Sequence, residues 1–166
     1  MLTIQNTVSD MAKKTLIIAP HPDDETLGCG GTILRRKNEG AEVAWLIVTS
    51  ISEEGGWSSD RVLSRDEEIT EVQKRYSFDE VFNLGYPSIE LDNISIRDLV
   101  DSFSNIINDY KPNEIFAPHR GDVHSDHRIV FDAVMACSKW FRYPSLTTFY
   151  SYETASETEF NLYKGT

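Results

Sequence analysis

Every histidine in this 166-residue chain lies in one of two short polar stretches, and both stretches are crowded with carboxylates. The first reads Pro20, His21, Pro22, Asp23, Asp24, Glu25. The second reads Pro118, His119, Arg120, Gly121, Asp122, Val123, His124, Ser125, Asp126, His127. His21, Asp24 and His127 supply two imidazoles and one carboxylate, a set that suits zinc and leaves a fourth position for water. Iron(II) accepts the same set, so ligand type leaves the identity of the divalent ion open. The step of three residues from His21 to Asp24 lets a turn entering a helix fold both side chains onto one ion. An aspartate at such a turn could instead cap the helix, which would explain one acid of the cluster but not the group.

Short apolar runs at 15–19, 43–48, 80–84 and 114–117 read as buried strands. Helical patterns occupy 26–38, ending at Gly40, then 63–76, 95–110 and about 126–141, and residues 146–152 offer a further strand. This alternation predicts an α/β chain, a three-layer Rossmann-like fold with a mostly parallel sheet and helices on both faces. Ligands bind such sheets beyond the carboxyl ends of the strands, and both histidine-bearing stretches begin there. The loops 50–60 and 86–93 are long for the fold and are candidates for segments that cover a substrate, ordinary solvated connections being the alternative.

The chain is 40% hydrophobic, enough for one compact domain, expected over residues 14–166 after an N-terminal tail of 1–13. With 27 acidic against 16 basic residues the net charge is −11, which opposes binding to nucleic acid. The first residues lack the apolar core of a signal peptide and no run is long enough to cross a bilayer, so a cytoplasmic location is expected. Cys29 and Cys137 form no CxxC pair and are expected to be reduced, buried small hydrophobes.

The strand followed by HPDDE at 21–25 and the later HSDH at 124–127 make the chain similar to the PIG-L (LmbE-like) family of zinc-dependent N-deacetylases. The resemblance covers most of the chain, including Gly28, Cys29, Gly30 and Gly31 in the first helix and Arg65 to Glu68 in the second. It implies metal ligation by His21, Asp24 and His127, with Asp23 as general base for the attacking water. His124 would stabilise the oxyanion or protonate the leaving amine. Asp126 is expected either to orient His124 or to cap the helix that follows. Arg65 resembles an arginine on the substrate side of the family's pocket, and pairing with Glu67 or Glu68 on its own helix is the alternative. Trp57, Tyr86 and Tyr152 are candidates for stacking on a sugar face.

The implied reaction removes an N-acetyl group from an N-acetylglucosaminyl sugar or conjugate, with a small-molecule partner and a homo-oligomer compatible with it. Two features depart from the family's pattern. Ser88 stands where many members carry an aspartate that recognises a sugar hydroxyl, and the chain stops at Thr166 where members usually continue, as a short form or a fragment. Two rival readings follow from the same residues. One is a dinucleotide-binding module built on Gly28, Gly30 and Gly31, although their spacing is not GxGxxG and Ser50, rather than an acid, ends the second strand. The other is a metal-binding but inactive interaction domain.

Overall fold

A computed structural model describes residues 12–155, 157 and 158, so most of the expected tail of 1–13 and everything beyond 158 lie outside the described residues. The strands are β1 (Lys14–Ala19), β2 (Glu42–Ser50), β3 (Glu80–Pro87), β4 (Glu114–Pro118) and β5 (Thr148–Tyr152). They form one sheet in the order β3-β2-β1-β4-β5, and every pairing is parallel. Residues 43–49 of β2 are all buried, as is β1 from Thr15 onward. Such runs are continuously apolar rather than alternating because helices cover both faces of the strand.

The helices are α1 (Asp24–Asn38), α2 (Ser59–Tyr76), α3 (Ile96–Tyr110) and α4 (Ser125–Ala136), with a single 3-10 turn at Leu91–Asn93. Ser58 and Ser95 accept from the backbone N–H groups of Arg61 and Asp98, starting α2 and α3. On one face of the sheet Ile17, Val43, Trp45 and Ile47 pack with Cys29 and Ile33 of α1 and, at the edge, Ile69 and Val72 of α2. On the other, Leu16, Ile18, Leu46 and Val48 pack with Leu99, Phe103 and Ile107 of α3 and Val130 and Val134 of α4. These are the three layers expected from the sequence.

One boundary differs. The fourth helix was expected to reach Phe141, but α4 stops at Ala136, where the Ser138 hydroxyl donates to the Met135 carbonyl at 2.7 Å. Trp140 and Phe141, whose spacing extends the apolar pattern, are 77% and 65% exposed, so no burial sustains the helix through them.

Gly28 and Gly30 of α1 answer to packing. A Cβ at Gly28 would lie 2.2 Å from the ring of Tyr152, and one at Gly30 would lie 2.5 Å from the Tyr76 hydroxyl. Gly28 and Gly30 thus admit two tyrosines against the helix, a packing role for two of the three glycines on which the dinucleotide-binding alternative was built. Cys29 and Cys137 are free and buried, and burial pushes both thiols up.

Candidate metal centre and its pocket

β1 is flanked by β2 on one side and β4 on the other, so chain direction reverses in strand order between β1 and β4. The turns that leave these two strands open a crevice at the carboxyl edge of the sheet. His21 and Asp24 come from the first turn, His124, Asp126 and His127 from the second. Residues about a hundred positions apart in sequence thus meet because their strands are neighbours.

Asp24 is the hub. Its Oδ2 lies 3.3 Å from His21 Nδ1 and 3.2 Å from His127 Nε2, and accepts the His21 backbone N–H at 2.8 Å. His127 is fully buried, and its Nε2 has no hydrogen-bond partner despite the nearby carboxylate. An unpartnered buried nitrogen is costly, and one that sits beside an oxygen without aligning to it is placed for a third atom. Ligands with bonds of about 2.0 Å to a tetrahedral zinc stand roughly 3.3 Å apart, which is the separation seen in both pairs. The donor set therefore fits a divalent ion.

The remaining nitrogens of both rings are held by carboxylates. Asp122 Oδ2 lies 2.8 Å from His127 Nδ1, and Asp126 Oδ2 lies 3.0 Å from His21 Nε2. Such partners fix which ring nitrogen keeps its proton and leave the other lone pair for a metal. Burial works against the charged form of His21, but Asp126 and Asp24 outweigh it and raise the ring to about 9. Burial likewise opposes charge on His127, while Asp122 and Asp24 raise it to about 9. Burial would raise the Asp24 carboxyl, yet the two imidazoles hold it well below the usual range. The cluster is thus built to carry positive charge against Asp24.

Asp126 was expected beside His124 or as a cap. Its carboxylate instead takes His21 and accepts the Ile89 and Leu91 backbone N–H groups at 2.8 and 3.4 Å. Ile89 adopts a φ of 70°, a strained conformation for a β-branched residue, at the point where its N–H meets Asp126. The cap of α4 is His124, whose Nδ1 accepts the Asp126 backbone N–H at 3.2 Å. With that lone pair engaged, the neutral ring carries its proton on Nε2 and offers a donor rather than a ligand. Burial and the neighbouring His21 both lower the His124 pKa, favouring this neutral ring. Nitrogens of His21, His124 and His127 nonetheless lie within 4.8 Å of one another, so a three-histidine set also converges.

An open cavity of about 290 Å³ adjoins the cluster, lined among others by His21, Asp23, Asp24, Arg65, Ser88 and His124. Asp23 precedes α1, makes no side-chain capping bond and keeps its side chain 55% exposed; partial desolvation at the pocket together with the Asp24 charge pushes its carboxyl up. Arg65 Nη1 donates to the Pro22 carbonyl at 2.6 Å and lies 3.9 Å from Asp23, while its Nε is 3.4 Å from Glu68. It joins the pocket wall and its own helix at once. Of the three aromatics, Trp57 lines the cavity. Tyr86 bonds Ser102 through its hydroxyl, and Tyr152 is buried with its hydroxyl donating to the Ile18 carbonyl at 2.8 Å. Ile51 and Trp57 from one long loop and Ser88 and Ile89 from the other line the cavity, as loops that cover a substrate would.

Two participants escaped the sequence reading. Asp122 stands in the second polar stretch but was given no role there, and its only signal was an acid five positions before His127. Glu157 also lines the cavity, although nothing in its sequence context marks it.

Known proteins resemble the chain in sequence and fold. The model of the family described as PIG-L: GlcNAc-PI de-N-acetylase matches residues 16–138. An Escherichia coli (strain K12) protein named uncharacterized deacetylase YaiS is 26% identical over 149 residues, covering 87% of this chain and 75% of its own. A probable N-acetyl-alpha-D-glucosaminyl L-malate deacetylase 2 of Bacillus subtilis (strain 168) is 30% identical over 135 residues, covering 75% of this chain and 60% of that protein. Among solved structures, the N,N'-diacetylchitobiose deacetylase from Pyrococcus horikoshii superposes with a TM-score of 0.66 at 28% identity, covering 82% of this chain and 52% of that one. The chain therefore spans between half and three quarters of the length of these relatives.

Proposed function

The chain belongs to the PIG-L family of GlcNAc-PI de-N-acetylases, and on that premise we propose that it is a metal-dependent hydrolase that removes the N-acetyl group from an N-acetylglucosaminyl sugar or conjugate, as one domain spanning residues 14–166. What carries the reading is the convergence of His21 Nδ1, Asp24 Oδ2 and His127 Nε2 at 3.2–3.3 Å beside an open pocket that also holds Asp23 and His124. These three residues would hold the ion, zinc in the first instance and iron(II) with the same ligands. When bound, a divalent ion supplies Lewis-acid polarisation of the amide carbonyl and brings the pKa of a water toward about 7.

Asp23 takes the proton of the attacking water. Partial desolvation at the pocket and the Asp24 charge raise its carboxyl, which strengthens it as an acceptor of that proton. His124 donates Nε2–H to the developing oxyanion. Asp126 holds His21, and Arg65 braces the Pro22 turn while facing the bound sugar. Ser88, neutral where the family pattern has an acid, recognises a hydroxyl without adding charge.

The test is acetate release across N-acetylglucosaminyl compounds, with and without a chelator. Turnover of at least one compound, abolished by chelation and restored by zinc or iron(II), is the expected result. A well-folded chain that takes up no ion overturns the proposal. An ion bound at one per chain with no turnover across the panel favours the inactive, metal-binding alternative.

A further inference from the structure

His127 is not held by Asp122 alone. The second oxygen of that carboxylate, Oδ1, accepts from the Thr158 hydroxyl, and the same hydroxyl accepts the Thr154 backbone N–H at 2.9 Å. Thr154 and Asp122 are fully buried, and Thr158 is half-buried at the end of the segment that follows β5. Every group in this series has its donor and acceptor roles fixed. A backbone N–H can only donate, so the Thr158 oxygen must spend its own proton on Asp122. Asp122 is then left to accept from His127 Nδ1–H, and the Nε2 lone pair is presented to Asp24 and to the site between them.

We infer that the segment after β5 acts as a brace for the metal centre, with Thr158 and Asp122 serving as positioning residues that set zinc affinity by orienting His127. The inference rests on the metal reading above and extends it to residues outside both histidine-bearing stretches. The brace joins a ligand to a piece of chain some 30 residues further along, on the far side of α4 and β5. A loop of water in place of Thr158 would hold the Asp122 carboxylate less firmly, because the backbone N–H of Thr154 orients the hydroxyl for a single partner. Glu157, one residue before the brace, lines the pocket, so the same segment that grips His127 also carries a carboxylate to the substrate side.

The test measures zinc affinity of the full chain by competition with a chromogenic chelator, together with the far-ultraviolet spectrum and melting temperature of each metal-free variant. Asp122→Asn should weaken zinc binding roughly 10- to 100-fold, the range for loss of a ligand's outer partner. Thr158→Val should weaken it by a smaller factor, and should add nothing in the Asp122→Asn background, since both act through one carboxylate. Thr158→Ser should retain the parental affinity. A packing role for the threonine methyl would give the reverse order, with valine tolerated and serine harmful, and that order overturns the brace. Zinc affinity of Thr158→Val equal to the parent's overturns it as well. A parent chain that binds no zinc removes the metal reading itself, so the two failures are distinguishable. Thr158→Val carries the decision should Asp122→Asn fail to fold, because Thr158 is only half-buried.

Discussion

At the amino edge of the sheet Glu114 is fully buried, yet Thr15, Arg36 and Lys13 contact its two oxygens at 2.5–3.2 Å. At the carboxyl edge of the same strands Asp24, Asp122 and Asp126 are also buried, and the ionisable groups facing them are imidazoles. The first cluster closes on permanent cations, and burial of Glu114 is outweighed so that its carboxyl stays low. The second is answered by groups that can lose their protons, and one of them, His127 Nε2, is left without a partner. A buried acid with its own arginine is a structural tie. A buried acid with convergent, proton-releasing rings is an invitation to a cation from outside.

The contrast can be broken most directly at Asp23. Asp23→Asn should lower turnover by roughly 10²- to 10⁴-fold while zinc content holds at the parental value. Its melting temperature should not fall, because the replaced carboxyl is exposed, makes no capping bond and lies beside the like charge of Asp24. Unchanged turnover would take Asp23 out of the mechanism. The opposite pattern is expected at the other edge. Glu114→Gln should cost about 2–4 kcal/mol in urea unfolding, since it takes from Lys13 its counter-charge and leaves Arg36 only its outer pair with Glu39. Zinc content and turnover of the folded protein should be untouched, and a loss of zinc would show that the two edges are not independent.

The smallest effect is in pH. His21 and His127 rise from 6.5 to about 9 in the folded chain. Their stabilisation is complete below pH 6.5 and is lost as pH climbs through about 9. The metal-free protein should therefore melt at lower temperature at pH 9 than at pH 6.5, and zinc, which replaces those protons, should flatten the decline. Glu114 has a lowered carboxyl, so its contribution is present above the ordinary carboxylate range and disappears only in acid. Glu114→Gln should then lower the melting curve about equally at both pH values. A metal-free melting temperature that is flat between them would sink the account of the carboxyl edge.

Much of this was legible in the residues. The runs at 16–19 and 115–117 have no polar interruption, and each ends at a proline followed by histidine, so both the central strands and the position of the site follow from local pattern. The layers follow because strand and helix periods alternate without exception. What was not legible depends on groups brought together from far along the chain. Asp126 was expected to orient His124 or to cap the helix that follows, but its direction is set by the N–H groups of Ile89 and Leu91, which belong to the loop after β3. Asp122 became a partner of His127 only through the rotamer that also meets Thr158. The end of α4 was missed because aromatic spacing imitates burial in Trp140 and Phe141, and nothing covers them.

The parallel sheet also decides when a metal can matter in the life of the chain. Because β1 and β4 are neighbours only after three helical crossovers, the two halves of the ligand set are separated by a loop whose closure costs roughly 4 kcal/mol for about a hundred flexible residues. An ion cannot draw those halves together early, as it does in a small domain whose ligands are adjacent in sequence. The hydrophobic layers must first bring β1 beside β4, a slow, long-range event in folding. On the proposed metal-dependent reading, the cation is a late arrival into a finished frame, so scarcity of metal should leave this protein correctly shaped and idle rather than unfolded.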